Sequence, residues 1–241
     1  MNRQNIADKF YTDDHALLFA LIARNILRTE GGESGMKALQ NGVEIYGRER
    51  GLRYAMRCLK NGDDLSVANY MAYSELMDIK GWNRSVNVSL APEYHFDTVA
   101  CGWCDTWKKY DILEYGKLYC NWIDPSLVHG FNPEIILEMH PIMSHGGDCC
   151  GFFWKNFAFK SEAEAQSVAQ RRKELLPGVG KDFLYHCGHL LSAMKRAIYL
   201  ELGACAGNRI MEASLNEYAQ EFGADKKEVL IREADQDFLK I

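Results

Sequence analysis

Apolar residues in the first third of the chain recur every three or four positions, as on one face of an α-helix. This pattern predicts a helix over residues 13–29 and a second over 33–59, both within a helical part spanning 13–78. Gly47 and Gly51 interrupt the second helix and predict a bend or close packing there. The preceding residues, 1–12, are interpreted as a frayed lead-in.

After Gly81 the pattern changes from helical to alternating. Val86 to Leu90 and Tyr94 to Ala100 each predict a strand, and Pro92 separates them. Two further apolar runs between residues 134 and 159 flank a Ser-His-Gly-Gly-Asp segment. Because glycine accepts positive φ without steric cost, this segment predicts the turn of a β-hairpin.

The last third of the chain is again helical, from a polar helix opened by Ser161 to about residue 234, with a break between Gly203 and Gly207. The fold class that follows is α+β, with helices packed around a small antiparallel sheet that contains the central hairpin. We expect a single domain over residues 1–241. Its parts are helices over 13–78, the sheet and site region over 84–159, and helices over 161–234.

Composition limits the class of function. The net charge of −5 argues against a general nucleic-acid binder. No stretch approaches the roughly 18 apolar residues that a membrane span needs, and no signal peptide is visible. With these features, the eight cysteines predict reduced thiols in the cytoplasm rather than a disulfide framework.

Chemically reactive side chains gather between Tyr119 and Trp154. Cys150 and Cys120 are candidate nucleophiles, because a thiolate attacks electron-poor carbon when a nearby cation lowers its pKa. His140 and His145 lie on or beside the hairpin and would supply that cation. Cysteine is also among the residues most often buried, so a purely structural role for each thiol stays open.

Other polar residues in the chain have two interpretations each. Asp124, which precedes Pro125, would either cap a short helix or anchor a cationic group from a pocket wall. Cys101 and Cys104 form a CxxC that would serve as half a zinc site, as a redox pair or as ordinary packing. Because no second CxxC exists, we expect no metal and no cofactor.

The region from Tyr119 onward resembles the L-2-amino-thiazoline-4-carboxylic acid hydrolase family. The residues that carry the resemblance are Cys120, Asp124, Gly130-Phe131-Asn132-Pro133, Gly147-Asp148 and Cys150-Gly151-Phe152. The resemblance implies an enzyme of bacterial type that hydrolyses a carbon–nitrogen bond of a small cyclic amidine, isothiourea or amide. Ring opening of a cyclic isothiourea is the reaction that the family name describes.

The resemblance also implies roles for individual residues. Asp124 would hold the planar amidinium of the substrate, the thiolate of Cys150 or Cys120 would attack the ring carbon, and His140 or His145 would carry protons. In an alternative mechanism, Asp124 activates water directly and the cysteines only shape the pocket. The expected substrate contacts come from Asp148, Cys149, Trp122 and Phe152.

Two other classes of function remain open at this point. The same hairpin would serve a non-catalytic sensor that binds a small molecule or a metal, and Cys101 with Cys104 would serve a zinc-stabilised structural domain. The expected partner is a small-molecule substrate, not a nucleic acid or a membrane. A homo-oligomer is compatible with base rates for such enzymes, and nothing else in the sequence supports it.

Overall fold

Helices account for 64% of the chain, and the strands form one small antiparallel sheet, which confirms the α+β class. The computed structural model describes residues 3–241, apart from the side chains at positions 4 and 5. The helices are α1 (Arg3–Ala7), α2 (Thr12–Thr29), α3 (Glu33–Lys60), α4 (Val67–Ala72), α5 (Gly102–Lys109), α6 (Leu113–Cys120), α7 (Ile123–Phe131), α8 (Glu162–Val179), α9 (Phe183–Phe222) and α10 (Ala224–Glu233). The strands are β1 (Arg84–Ser89), β2 (Tyr94–Ala100), β3 (Leu137–Met139) and β4 (Cys150–Trp154).

The chain divides into two compact units, and each draws on several segments. The first unit holds the chain up to Tyr46 together with Gly102–Ile123 and Asp182–Phe238. The second unit holds Gly47–Cys101, Asp124–Lys181 and Leu239–Ile241. The expectation that residues 1–241 form a single domain stays a prediction.

The first unit is built on α2 and α9, with α5 and α6 packed on α2 and α10 packed on α9. Helix α9 begins where the carboxylate of Asp182 accepts a 2.8 Å hydrogen bond from the backbone N–H of Tyr185. Gly203, at φ 76°, interrupts it at the predicted break, and Gly223, at φ 93°, ends it. Although α9 is 40 residues long, no helix within residues 3–241 has both the length and the apolar character to cross a membrane.

The second unit contains the sheet, whose strand order is β1-β2-β4-β3 with every pair antiparallel. Strands β3 and β4 form the predicted hairpin. Between them lie a short 3₁₀ turn over Met143–His145 and Gly146 at φ 96°. Gly146 has the positive φ that glycine adopts without steric cost, as the predicted turn requires.

One face of the sheet packs against helices of the same unit. Tyr94 and Trp154, which are paired across β2 and β4, form a buried cluster with Val67 of α4 and Val128 of α7. Because side chains alternate along a strand, Cys150 and Phe152 lie on the same face of β4 as Trp154. Phe153 lies on the opposite face. This alternation decides which candidate site residues can meet.

Four local predictions differ from the structure. The apolar pattern over 104–116 predicts one helix, but Asp111, whose φ of 51° does not fit a helix, separates α5 from α6. A helix capped by Asp64 is predicted from Leu65 to about Met77, whereas α4 spans only Val67–Ala72 and is capped by Ser66. Pro177 and Gly178 predict the end of a helix, but α8 continues through Pro177 to Val179. Within the expected lead-in, residues 3–7 are helical because Ile6 and Ala7 are buried, and residues 1–2 lie outside the described part.

Candidate active site

Helices α3 and α7 approach each other closely at two glycines. A Cβ added at Gly51 would lie 2.0 Å from the carbonyl oxygen of Leu127, and one added at Gly130 would lie 2.2 Å from that of Arg48. Neither distance leaves room for a side chain, so the close packing predicted at Gly51 is confirmed. Helix α3 stays continuous through this contact.

The carboxyl group of Asp124 lies near Arg50 and Tyr70, within the second unit. Asp124 is in the first turn of α7, one residue after its start, and within residues 3–241 its carboxyl has no hydrogen-bond partner. Burial raises the pKa of this carboxyl to about 6, and the nearby Arg50 guanidinium acts in the opposite direction. The residue as a whole is only partly exposed to solvent.

A buried ion cluster holds the arginine beside that carboxyl. Arg50, Arg53 and Arg57 of α3 all pair with Glu75, whose side chain is fully buried. The Arg50 Nε atom lies 3.6 Å from a Glu75 oxygen, and its Nη2 donates a 3.2 Å hydrogen bond to the Tyr54 hydroxyl. Three guanidinium groups around one carboxylate give this side of the recess a positive potential.

Aromatic rings form the other wall of the recess. The ring centroid of Tyr70, on α4, lies 5.2 Å from that of Trp154, 5.5 Å from Phe131 and 6.0 Å from Tyr54. Burial raises the pKa of Tyr70 well above its ordinary value, and the charge of Asp124 adds to this effect. Its phenol therefore stays protonated at neutral pH. Arg50, Tyr54, Tyr70, Asp124 and Trp154 are called the Asp124 recess below.

Cys150 and Phe152 lie on the sheet face that carries Trp154. The Cys150 Sγ atom accepts a 3.2 Å hydrogen bond from the backbone N–H of Met143. Phe152 stacks on Phe96 of β2, with ring centroids 4.6 Å apart. Cys150 is a predicted nucleophile, and Phe152 is a predicted substrate contact. Both lie on the same sheet face as Trp154, which belongs to the Asp124 recess.

Cys149 has a different environment from its neighbour Cys150. Desolvation raises the pKa of the Cys149 thiol, and a hydrogen bond and the charge of Asp97 raise it further. Asp97 also accepts a 2.8 Å hydrogen bond from Nε2 of His95. A thiol beside a carboxylate is held in its protonated form, which is the weaker nucleophile.

The predicted histidines lie away from the Trp154 face of the sheet. The His140 ring stacks on Phe153 at 4.4 Å, and His95 stacks on Phe153 at 3.9 Å. His145 is exposed, with Nδ1 3.2 Å from the Ser144 hydroxyl. Asp148 is also exposed in the turn.

The remaining predicted residues belong to different units. Cys120, Trp122 and Cys104 are part of the first unit, whereas Cys101 is part of the second. Burial raises the pKa of the Cys104 thiol. All eight cysteines are free thiols. Across residues 3–241, no three His, Cys, Asp or Glu side chains are grouped so as to hold a metal ion.

A sequence model of the L-2-amino-thiazoline-4-carboxylic acid hydrolase family matches residues 12–154, more than half of the 241 residues. The chain belongs to this family. No curated protein and no solved structure matches it. The family match includes every residue of the Asp124 recess and both cysteines of the hairpin. The family name carries the hydrolase assignment.

Sequence reasoning identified one member of the Asp124 recess and missed four. Arg50 had a usable signal, since Arg50, Arg53 and Arg57 recur at helical spacing on an otherwise apolar face. Tyr54, Tyr70 and Trp154 had none, because an aromatic residue at helical or strand spacing is ordinarily part of a core. His95 and Asp97 are two positions apart in a predicted strand, so their side chains are expected on the same face of the sheet.

Proposed function

We propose that this member of the family hydrolyses a carbon–nitrogen bond in a small cyclic amidine or isothiourea, and that the reaction takes place in the Asp124 recess. The observation that carries the proposal is the Asp124 carboxyl, whose pKa is raised to about 6 and which has no hydrogen-bond partner within residues 3–241. At neutral pH this carboxyl is mostly ionised. A planar amidinium fits it through charge-assisted hydrogen bonds.

Two other features of the recess support a ligand of this kind. The ring of Tyr70, which is partly accessible, would offer a π face to a planar cation. The Arg50 guanidinium would pair with a carboxylate on the same ligand, and its contacts with Glu75 and Tyr54 restrict its position. A small zwitterionic ring satisfies both sides of the recess.

The proposed reaction uses Asp124 as a general base. Its carboxylate accepts a proton from water while the water oxygen bonds to the ring carbon of the amidine. The resulting tetrahedral intermediate then loses the ring nitrogen, and the product is heavier than the substrate by one water. A base with a pKa near the working pH is effective, because it is ionised and still binds a proton well.

A second mechanism has support from Cys150. The Met143 N–H that donates to its Sγ atom would stabilise a thiolate, and Cys150 shares a sheet face with Trp154. The thiolate would then attack the ring carbon, and water would hydrolyse the covalent adduct. Cys120 is the second candidate for this role. Cys149 is disfavoured, because its pKa is raised by desolvation and by Asp97.

Mass spectrometry of products and of intact protein tests the proposal. The wild-type protein is incubated with a panel of cyclic amidines, isothioureas and lactams. We expect a product one water heavier, and we expect Asp124→Asn to lose roughly 100-fold in turnover. Asp105→Asn, at an exposed carboxylate on α5, should retain full turnover.

The same experiment separates the two mechanisms and the rival function. Full turnover in both Cys150→Ser and Cys120→Ser excludes the thiolate, whereas a transient adduct on either residue excludes direct attack by water. No turnover across the panel, together with tight binding of one compound, would replace the enzyme with a sensor domain. Full turnover by Asp124→Asn would move the reaction out of the recess.

A further inference from the structure

Opening an amidine ring requires an acid as well as a base. After water has added and Asp124 has taken a proton, the ring nitrogen leaves as an amine only if it receives a proton of its own. An unprotonated nitrogen anion is a very poor leaving group. The donor must remain protonated at the pH at which Asp124 is ionised, and such a division between two neighbouring groups identifies an acid–base pair.

Within the second unit, the Tyr70 hydroxyl is our candidate for this proton donor. Its ring is held by Trp154, Phe131 and Tyr54, which restrict rotation on three sides. Within residues 3–241 its hydroxyl has no hydrogen-bond partner. The residue is partly accessible, and its ring neighbour Tyr54 is hydrogen-bonded to Arg50.

The electrostatics of the recess agree with this geometry. Burial raises the pKa of both Asp124 and Tyr70, and the charge of Asp124 raises that of Tyr70 further. A carboxyl raised to about 6 is mostly ionised at neutral pH, whereas the phenol remains protonated. The two groups therefore hold opposite protonation states across the neutral range.

Other donors near the recess fit the role less well. The Tyr54 hydroxyl accepts a hydrogen bond from Arg50, and its side chain is almost fully buried. Trp154 has an indole N–H, which donates a hydrogen bond but does not give up its proton in this pH range. His140 stacks on Phe153, on the opposite face of the sheet.

We propose that Tyr70 is the general acid of the ring opening and gives its phenolic proton to the leaving nitrogen. This inference rests on the proposed function. One proton of water goes to Asp124 as the carbon–oxygen bond forms, and the Tyr70 proton goes to nitrogen as the carbon–nitrogen bond breaks. Asp124 then returns its proton to the Tyr70 phenolate. Both residues are restored, and one water is consumed.

A series of cyclic amidines that differ in the basicity of the leaving nitrogen tests this role. Tyr70→Phe removes the hydroxyl and keeps the ring that packs on Trp154 and Phe131. We expect kcat to fall roughly 100-fold for the most basic leaving group and to stay near wild type for the least basic one. KM should change by less than about threefold, because binding rests on Asp124 and Arg50.

Two further variants test whether the loss of kcat in Tyr70→Phe has a purely structural cause. Tyr73→Phe, on the same segment, loses a hydroxyl that bonds Asp63 outside the recess, and it should retain wild-type kcat for the whole series. A fluorinated tyrosine at position 70 retains the hydroxyl and should keep kcat within about tenfold of wild type, well above Tyr70→Phe, for the most basic leaving group. Thermal unfolding of Tyr70→Phe should occur at no lower temperature than that of Tyr73→Phe, which loses hydrogen bonds to Asn61 and Asp63.

The outcomes distinguish this inference from the proposed function. Wild-type turnover with undiminished turnover in Tyr70→Phe overturns the acid role and leaves the hydrolase proposal standing. A loss in Tyr70→Phe that is equal for every leaving group assigns Tyr70 a packing role and also overturns the inference. Absence of wild-type turnover across the series overturns both.

Discussion

The indole Nε1 of Trp103 donates a 3.0 Å hydrogen bond to Nδ1 of His15, in the core of the first unit. Indole nitrogen only donates, so Nδ1 of His15 must accept, and the proton of this neutral ring is on Nε2. Nε2 then donates to the Tyr46 hydroxyl at 3.0 Å, and that hydroxyl shares a 3.3 Å hydrogen bond with Nδ1 of His186, whose tautomer sets the direction of this last bond. The Trp103 N–H therefore determines the tautomer of His15 and the direction of hydrogen bonding as far as Tyr46.

Replacing Tyr46 with phenylalanine removes two hydrogen bonds from this chain without changing the ring. Because His15 and His186 are almost fully buried, water replaces the lost hydroxyl poorly. We expect a loss of about 1–3 kcal/mol in the free energy of unfolding, measured by urea denaturation. Tyr199→Phe, whose hydroxyl contacts Asn208 at the surface, serves as the control. Equal stability of the two variants would contradict the prediction.

Asp124→Asn is expected to stabilise the protein above pH 6 while it lowers turnover roughly 100-fold. The folded pKa of about 6 lies above the ordinary value of 3.8, so between these values the folded state holds a proton that the unfolded state has lost. Stability therefore falls as pH rises through this window and stays lowered above it. Relative to wild type, the variant should gain about 1–3 kcal/mol between pH 3.5 and pH 8.

The opposite sign is expected at Asp63, which makes it a matched control for Asp124. A hydrogen bond from Arg171 lowers the pKa of Asp63, so its ionised form stabilises the fold. Relative to wild type, Asp63→Asn should become less stable as pH rises through the range below about 3.8, and the loss should persist at higher pH in the same urea titrations. The same direction of change in both variants would contradict the assignment of Asp124 to a desolvated recess.

The pH dependence of turnover should reflect the Asp124 carboxyl. If Asp124 acts as the base, kcat/KM rises with pH through about 6 and then levels off. Tyr70 should add no alkaline limb below pH 9, because its pKa is raised well above the ordinary value. Stopped assays between pH 4.5 and pH 9 measure both limbs. A profile that falls as pH rises from 5 to 7 would exclude a carboxylate base.

Glu75→Gln removes the negative charge that three buried arginines share. Arg50, Arg53 and Arg57 would then repel one another where little water reaches them. We expect a loss of about 3–5 kcal/mol in the free energy of unfolding. Glu93→Gln breaks the surface pair with Lys155 and should leave the urea midpoint unchanged. An unchanged midpoint in Glu75→Gln would show that the cluster contributes nothing to stability.

Gly51→Ala tests the close contact between α3 and α7. The new methyl would meet the Leu127 carbonyl at 2.0 Å, so the helices must separate and Asp124 must move relative to Arg50. We expect a loss of about 1–3 kcal/mol in stability together with reduced turnover. Gly178→Ala, where nothing lies within 4 Å, should be neutral or slightly stabilising. Wild-type behaviour of Gly51→Ala would contradict the packing described.

Much of the fold could be predicted from the pattern of residues. The long helices, the antiparallel sheet, the hairpin, the break at Gly203 and the close packing at Gly51 follow from hydrophobic period and glycine placement. The predictions failed where local signals competed, as at Asp64 and Ser66, two candidates for one helix cap that lie two positions apart. The prediction that Pro177 ends a helix was also wrong, since α8 continues through it to Val179.

The candidate site could be predicted only in part, because its residues are distant in sequence. Asp124 and Cys150 stand out locally as polar or reactive groups within apolar segments. Their partners do not. Arg50 becomes a neighbour of Asp124 only when α3 and α7 pack through their glycines, and Tyr70 only when α4 packs on Tyr54 and Phe131 of those helices. The opposite environments of Cys149 and Cys150 likewise depend on the pairing of β2 with β4, which places Asp97 beside one thiol.

The order of residues alone determines the α+β class, the main helices and strands, and the family resemblance. These follow from hydrophobic period, turn chemistry and short motifs, which are local properties of the sequence. Tertiary packing determines which residues form the Asp124 recess. It also raises the pKa of Asp124 and brings the Tyr70 phenol near this carboxyl. These depend on desolvation and on charges brought together from segments up to about a hundred residues apart, and no local pattern encodes them.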